Sequence, residues 1–134
     1  MQSVLGQVNP QFNDIGKAFV EHYYKMFDSS RASLQPLYQG DSMLTFENDQ
    51  YQGAANIMQK LLNLNFQTVQ HLPKTVDCHP GVNGAIVVLV TGNLAVDGNV
   101  NTPLMFTQLF TLVPTADKLN WWILNDIFRL NFAA

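Results

Sequence analysis

The sequence predicts an α+β fold: three helices in the first half, then an antiparallel sheet bent into a half-open cone. Three observations carry that prediction. Apolar residues recur at helical spacing up to residue 65, whereas everything after Phe66 reads as strands separated by turn chemistry. The strands are apolar on both faces, as in AIVVLVTGNLAV, where a one-sided sheet would alternate. Finally, 47% of the 134 residues are hydrophobic and only 13% charged, which is about half the usual charge fraction. The apolar excess calls for a second layer over the sheet, and the remaining chain has no helices to supply it. A second copy of the sheet is the expected cover, so the chain is expected to form a homodimer through its sheets.

Residues 1–9 read as a flexible leader and residues 10–134 as one domain. Asn9-Pro10 is expected to start the first helix, with Asn as N-cap and Pro in the first turn. Phe12, Ile15, Gly16, Phe19, Val20, Tyr23, Met26 and Phe27 then form one apolar stripe, with Lys17, Glu21 and Lys25 opposite. Asp28 to Arg31 breaks this helix. Ala32 to Tyr38 predicts a short second one, limited by Pro36. Ser42 to Gly53 reads as a short strand, a polar turn at Asn48-Asp49 and a return towards a third helix. That helix carries Ile57, Leu61 and Leu64 on one face and ends at Asn65. Strands follow at about 66–78, 84–96, 104–114 and 121–132, with turns at His79-Pro80-Gly81, Asp97-Gly98-Asn99 and Thr115-Ala116-Asp117. Successive strands with short turns imply an antiparallel meander.

Function classes narrow by exclusion. A net charge of −3 argues against a nucleic-acid backbone as partner and for neutral or basic ones. The single cysteine, Cys78, has no internal partner, and MQSVLGQVNPQF lacks the basic start and apolar run of a signal peptide. No apolar stretch is long enough to span a membrane. A soluble intracellular protein without membrane insertion is the expectation. No phosphate loop, Cys-x-x-Cys or His-Glu-x-x-His occurs, and His22, His71 and Cys78-His79 lack sequence partners for metal or nucleophile chemistry. No catalytic residue, metal or cofactor is therefore expected. An enzyme-like alternative would join Tyr23 or Tyr24 with Asp126 as acid and base in the hollow. However, strict alternation puts Asp126 on a face with Trp122, Leu124, Phe128 and Leu130, where a paired, buried carboxyl is the simpler role.

Phe46 and Glu47 set an aromatic beside an acid at the rim of the hollow, which suits a hydrophobic plug flanked by positive charge. On these residues alone, core Phe46 and a solvated Glu47 remain the alternative. The segments FNDIGKAFVEHYYKMFD, LYQGDSMLTFE, YQGAANIMQKL, LNFQTVQH and NDIFRLNF, in this order from Phe12 to Phe132, closely resemble the nuclear transport factor 2 family. The resemblance implies the cone fold, a homodimer and no enzymatic activity. It implies two partners, the GDP form of the GTPase Ran and the Phe-Gly repeats of nucleoporins, and hence import of Ran. The location implied is cytoplasm and nucleus, with enrichment at the nuclear pore. Phe46, Leu64, Phe66, Val69 and Phe128 match the wall of the cavity that accepts a Phe of Ran, and Glu47 and Asp97 match rim acids. Asn99 stands where the family often has another acid. Phe12 stands where an aromatic, frequently Trp, meets Phe-Gly repeats. The alternatives are a cone-fold adaptor in another transport pathway, such as messenger RNA export, and a cone-fold isomerase or dehydratase.

Overall fold

The first helix starts at Phe12 because Asn9 is used just before it: the Asn9 side-chain oxygen accepts the Gln11 N–H at 2.9 Å. This places the N-cap at Gln11 rather than at Asn9, and Pro10 in the preceding turn. The structure, a computed structural model, describes residues 4–99 and 101–131. Residues 1–3 of the expected leader, Val100 and the end of the match at Phe132 to Ala134 lie outside the described residues. Within the leader, the Leu5 carbonyl accepts the Asn83 N–H at 2.6 Å.

The elements are α1 (Phe12–Ser29), a 3₁₀ turn (Arg31–Leu37), β1 (Tyr38–Phe46), β2 (Asp49–Gln52), α2 (Ala54–Leu62), β3 (Val69–Pro80), β4 (Ile86–Val96), β5 (Leu104–Pro114) and β6 (Trp121–Asn131). The expected second helix is thus a 3₁₀ segment, which tolerates Pro36 because its few hydrogen bonds leave no long ladder to break. The third helix stops at Leu62, three residues before Asn65.

The sheet order is β2-β1-β6-β5-β4-β3. The meander β3 to β6 is antiparallel, as expected, but β1 lies parallel to β6 and makes the sheet mixed. The segment after Asn48 is not merely a return: Asp49–Gln52 forms a hairpin with β1.

Three irregularities bend the sheet. Opposite Gly92 the β3 strand bulges between Pro73 and Thr75, and a Cβ on Gly92 would lie 2.4 Å from the Leu72 carbonyl oxygen. Only glycine permits that approach. In β1 the register slips between Tyr38 and Met43, where buried Ser42 takes the Gln39 N–H at 2.8 Å and donates to the Ile123 carbonyl. In β6 Leu124 is the extra residue, since Leu112 faces Ile123 and Thr111 faces Asn125. A bulge reverses the alternation beyond it. Fully buried Ile123, not Trp122 or Leu124, therefore shares the inner side with Asp126 and Phe128, which corrects the strict alternation.

α1 closes the cone, packing mainly on β3. It buries Phe19, Val20, Tyr23, Tyr24 and Phe27 against Val88, Val90, Phe106, Phe110 and Leu112 of the sheet. Among the described residues, the opposite face of the sheet exposes Leu89, Met105 and Ile127 by 40–49%.

Candidate functional site

The wide end of the cone opens into a hollow lined by Tyr23, Phe27, Leu44, Phe46, Leu61, Phe66, Val69, His71, Leu94, Gln108, Asp126 and Phe128. The parallel register sets Phe46 beside Phe128, and their rings stack with centroids 4.8 Å apart and planes 12° apart. Phe106 continues the stack below Phe128 at 5.8 Å. The hollow encloses about 350 Å³ of empty space counting its open mouth, but only about 20 Å³ admits the centre of a water molecule. It is a slot walled by flat rings rather than a chamber.

Four of the five expected wall residues, Phe46, Phe66, Val69 and Phe128, line this slot. Leu64 does not. It lies in the adjoining surface depression with Asn65 to Thr68 and Asp97. Phe66 is not on a strand, because the Asp97 carboxylate takes the Gln67 and Thr68 N–H groups at 3.0 Å each and holds residues 63–68 off the ladder. β3 starts only at Val69.

The floor is polar. The Tyr38 hydroxyl donates to the Asp126 carboxylate at 2.7 Å, and the Tyr23 hydroxyl lies 3.4 Å from the same oxygen and 2.8 Å from Tyr38. Gln108 donates to the other oxygen at 2.7 Å and accepts from Tyr24 at 2.8 Å. Burial pushes the Asp126 carboxyl up to about 6, against the lowering effect of the hydrogen bonds from Gln108, Tyr38 and Tyr23. Burial, and then the charge of Asp126, raise all three tyrosines well above their ordinary range, so they remain donors. His71 turns its Nδ1 to Asp28 at 2.7 Å and stacks on Tyr24 at 4.3 Å. Tyr23 and Asp126 thus meet, as the enzyme-like alternative would require. Even so, both oxygens of Asp126 already have donors, and the free space takes about one water.

The rim acids share a construction. Glu47 and Asp97 both sit at turn positions with φ of +57° and +51°. Each uses part of its carboxylate to hold backbone: Glu47 accepts the Leu130 N–H, and Asp97 accepts the two N–H groups before β3. Asn99 is exposed, and its N–H closes the turn on the Val96 carbonyl at 3.1 Å. Phe12, half-buried in the first turn of α1, is not part of this site. Phe27 lines the hollow, and fifteen residues of helix put Phe12 ~22 Å away along the axis.

Sequence reasoning missed several wall residues. Leu44 is legible from the period of two that also places Phe46, and Leu61 from the stripe of α2. Arg31 and Lys60 had no local signal, yet each cation lies over a wall ring: Arg31 over Phe66 at 4.7 Å and Lys60 over Phe46 at 5.3 Å.

Comparison with known proteins agrees with this geometry. Residues 15–130 match the nuclear transport factor 2 (NTF2) domain. Nuclear transport factor 2 of Saccharomyces cerevisiae is 45% identical over 124 residues, covering 92% of this chain and 97% of that protein. Nuclear transport factor 2B of Arabidopsis thaliana is 45% identical over 130 residues, covering 96% of this chain and all of that one (100%). The solved nuclear transport factor 2 of Cryptosporidium parvum superposes with a TM-score of 0.89 at 47% identity, covering 94% of this chain and 99% of that chain. Proteins described as dehydratases match at only 13% identity, which shows the fold alone.

Proposed function

The chain belongs to the nuclear transport factor 2 family and acts in nucleocytoplasmic transport, and we propose that it carries the GDP form of the small GTPase Ran into the nucleus. One observation carries the choice of cargo. A slot walled by Phe46, Phe66 and Phe128, with carboxylates at two turns of its rim, suits an aromatic plug flanked by basic residues. Phe46, Phe66, Val69 and Phe128 grip the plug, and Glu47 and Asp97 meet its flanking cations. Leu64 and Asn99 border the same contact from the depression and turn beside Asp97. A preformed slot distinguishes nucleotide states only when the partner presents the plug in one state and withholds it in the other.

The second partner is the Phe-Gly repeats of nucleoporins, met at Phe12, which brings the carrier through the pore and concentrates it there. The apolar outer face of the sheet pairs with a second copy. No catalysis is assigned to the floor, because its donors and acceptors satisfy one another.

Calorimetric titration of the chain with Ran loaded with GDP, and separately with a GTP analogue, tests the proposal. Binding to the GDP form alone is expected. Binding to neither by a folded protein would overturn the cargo assignment and favour an adaptor in another transport pathway.

A further inference from the structure

Of the three rings in the mouth, Phe46 and Phe128 stand on paired strands, whereas Phe66 stands on residues 63–68 between α2 and β3. A ring on an irregular segment has more ways to leave its place than one on a ladder. Asp97 fixes the backbone just after Phe66, through the Gln67 and Thr68 N–H groups. Arg31 supplies what is missing. Its guanidinium lies 4.7 Å from the Phe66 centroid and 5.2 Å from that of Phe27, and its Nη1 donates to the Leu61 carbonyl at 2.9 Å. Phe27, Leu61 and Phe66 all line the hollow and come from α1, α2 and the segment after it. Arg31 therefore ties three separate parts of one wall together. Its Nε is buried without a hydrogen-bond partner among the described residues, so the side chain holds this place despite an unsatisfied donor.

We propose that Arg31 is the positioning residue of the hollow, holding Phe66 in the wall so that the slot is preformed for an aromatic plug. The inference rests on the cargo reading above for its consequence, but not for the contact itself. If the competent wall is populated only in part, the apparent affinity falls by that fraction. Charge alone predicts the opposite. Removing a cation from the mouth would strengthen attraction for a plug flanked by basic residues. The sign of the effect thus separates positioning from electrostatics.

The test uses Arg31→Met, which keeps an apolar stem along Phe27 and removes the cation, with Arg31→Lys as the conservative variant. In protein carrying 4-fluorophenylalanine at position 66, one narrow fluorine resonance is expected for the parent. In Arg31→Met it should move towards the free amino acid position and broaden. Calorimetry with Ran-GDP should show a Kd raised about three- to tenfold, the range a partly desolvated cation–π contact supports. Arg31→Lys should recover part of this, and Arg31→Met should add nothing in a Phe66→Leu background. An unchanged fluorine resonance, a Kd unchanged or lower, or strictly additive losses would overturn the proposal. If the parent does not bind Ran-GDP, the cargo reading falls, and the fluorine spectra alone decide whether Arg31 holds Phe66.

Discussion

Glu47 shows how one carboxylate serves both the fold and the rim. Its left-handed backbone aims the side chain at the end of β6, where one oxygen takes the Leu130 N–H. Glu47→Lys would remove that acceptor along with the charge, so a loss of binding could come from either. Glu47→Gln keeps an oxygen for Leu130 and removes only the charge. It is expected to leave the thermal midpoint nearly unchanged and to weaken Ran-GDP binding by about 1 kcal/mol, roughly fivefold, in a calorimetric titration. Full affinity in the folded variant would remove Glu47 from the contact. Asp126 gives a separate prediction at the same scale. Its folded pKa of about 6 lies above the 3.8 of the free side chain, so the folded state holds the proton more tightly. That contribution is complete below about pH 4 and is lost as pH rises to about 6. Urea unfolding of the parent and of Asp126→Asn at about pH 3.5 and pH 7 should therefore diverge. The parent should lose on the order of 3 kcal/mol relative to the variant on going to the higher pH. Parallel curves would mean that burial does not hold the Asp126 pKa above that of the unfolded chain.

Among the elements, the crossing of α1 over the sheet depends on Gly16. A Cβ there would lie 2.4 Å from the Cys78 sulfur and 3.2 Å from the Val88 side chain. Gly16→Ala gains about 0.5–1 kcal/mol of helix propensity but overpacks a close contact at about 1–3 kcal/mol, so a net loss is expected. The direction should reverse or vanish in a Cys78→Ala background, measured by chemical denaturation of the four proteins of the cycle. Equal losses in both backgrounds would place the cost elsewhere. The same helix shows what periodicity can deliver. Its spacing places Gly16, Phe19, Val20, Tyr23 and Phe27 in the buried stripe, but Tyr24 joins them, and Phe12, Ile15 and Met26 are only partly buried. Its start moved because Asn9 and Pro10 form their own turn instead of capping. Likewise β4 and β5 are found where alternation and turn residues place them, whereas β2 and the parallel partner of β1 are not legible in four polar-rich residues.

At the scale of the molecule, the two proposed binding regions are far apart. Phe12 lies ~22 Å of helix from the mouth, so mutations at the two places should act independently. Phe12→Ala is expected to weaken binding of a Phe-Gly peptide, read by fluorescence anisotropy, while the Kd for Ran-GDP stays within about twofold. Equal loss of both would make Phe12 a structural residue. The outer face of the sheet bears the dimer proposal. Ile127 is 41% exposed and pairs with Leu109 across the ladder, so Ile127→Glu should leave the protomer folded. Sedimentation velocity should show a dimer for the parent and a monomer for the variant, because two glutamates would meet at an apolar contact. A monomeric parent would refute the proposal.

Family membership, the order of helices before strands and the residue types of the hollow's wall were determined by the sequence itself. These are local properties: spacing of 3.6 or 2, turn residues, and motif segments a few residues long. Phe46, Phe66, Val69 and Phe128 were legible for that reason. Tertiary structure alone decided that Leu64 lines the depression beside the slot, that Phe66 stands off the strand, and that Ile123 rather than Trp122 shares the inner side of the sheet with Asp126. It also decided what surrounds Asp126, whose partners Tyr23, Tyr38 and Gln108 lie 103, 88 and 18 positions away. The physical reason is register. A single bulged residue turns every later side chain to the other face, and the parallel pairing of β1 with β6 joins segments that share no local signal.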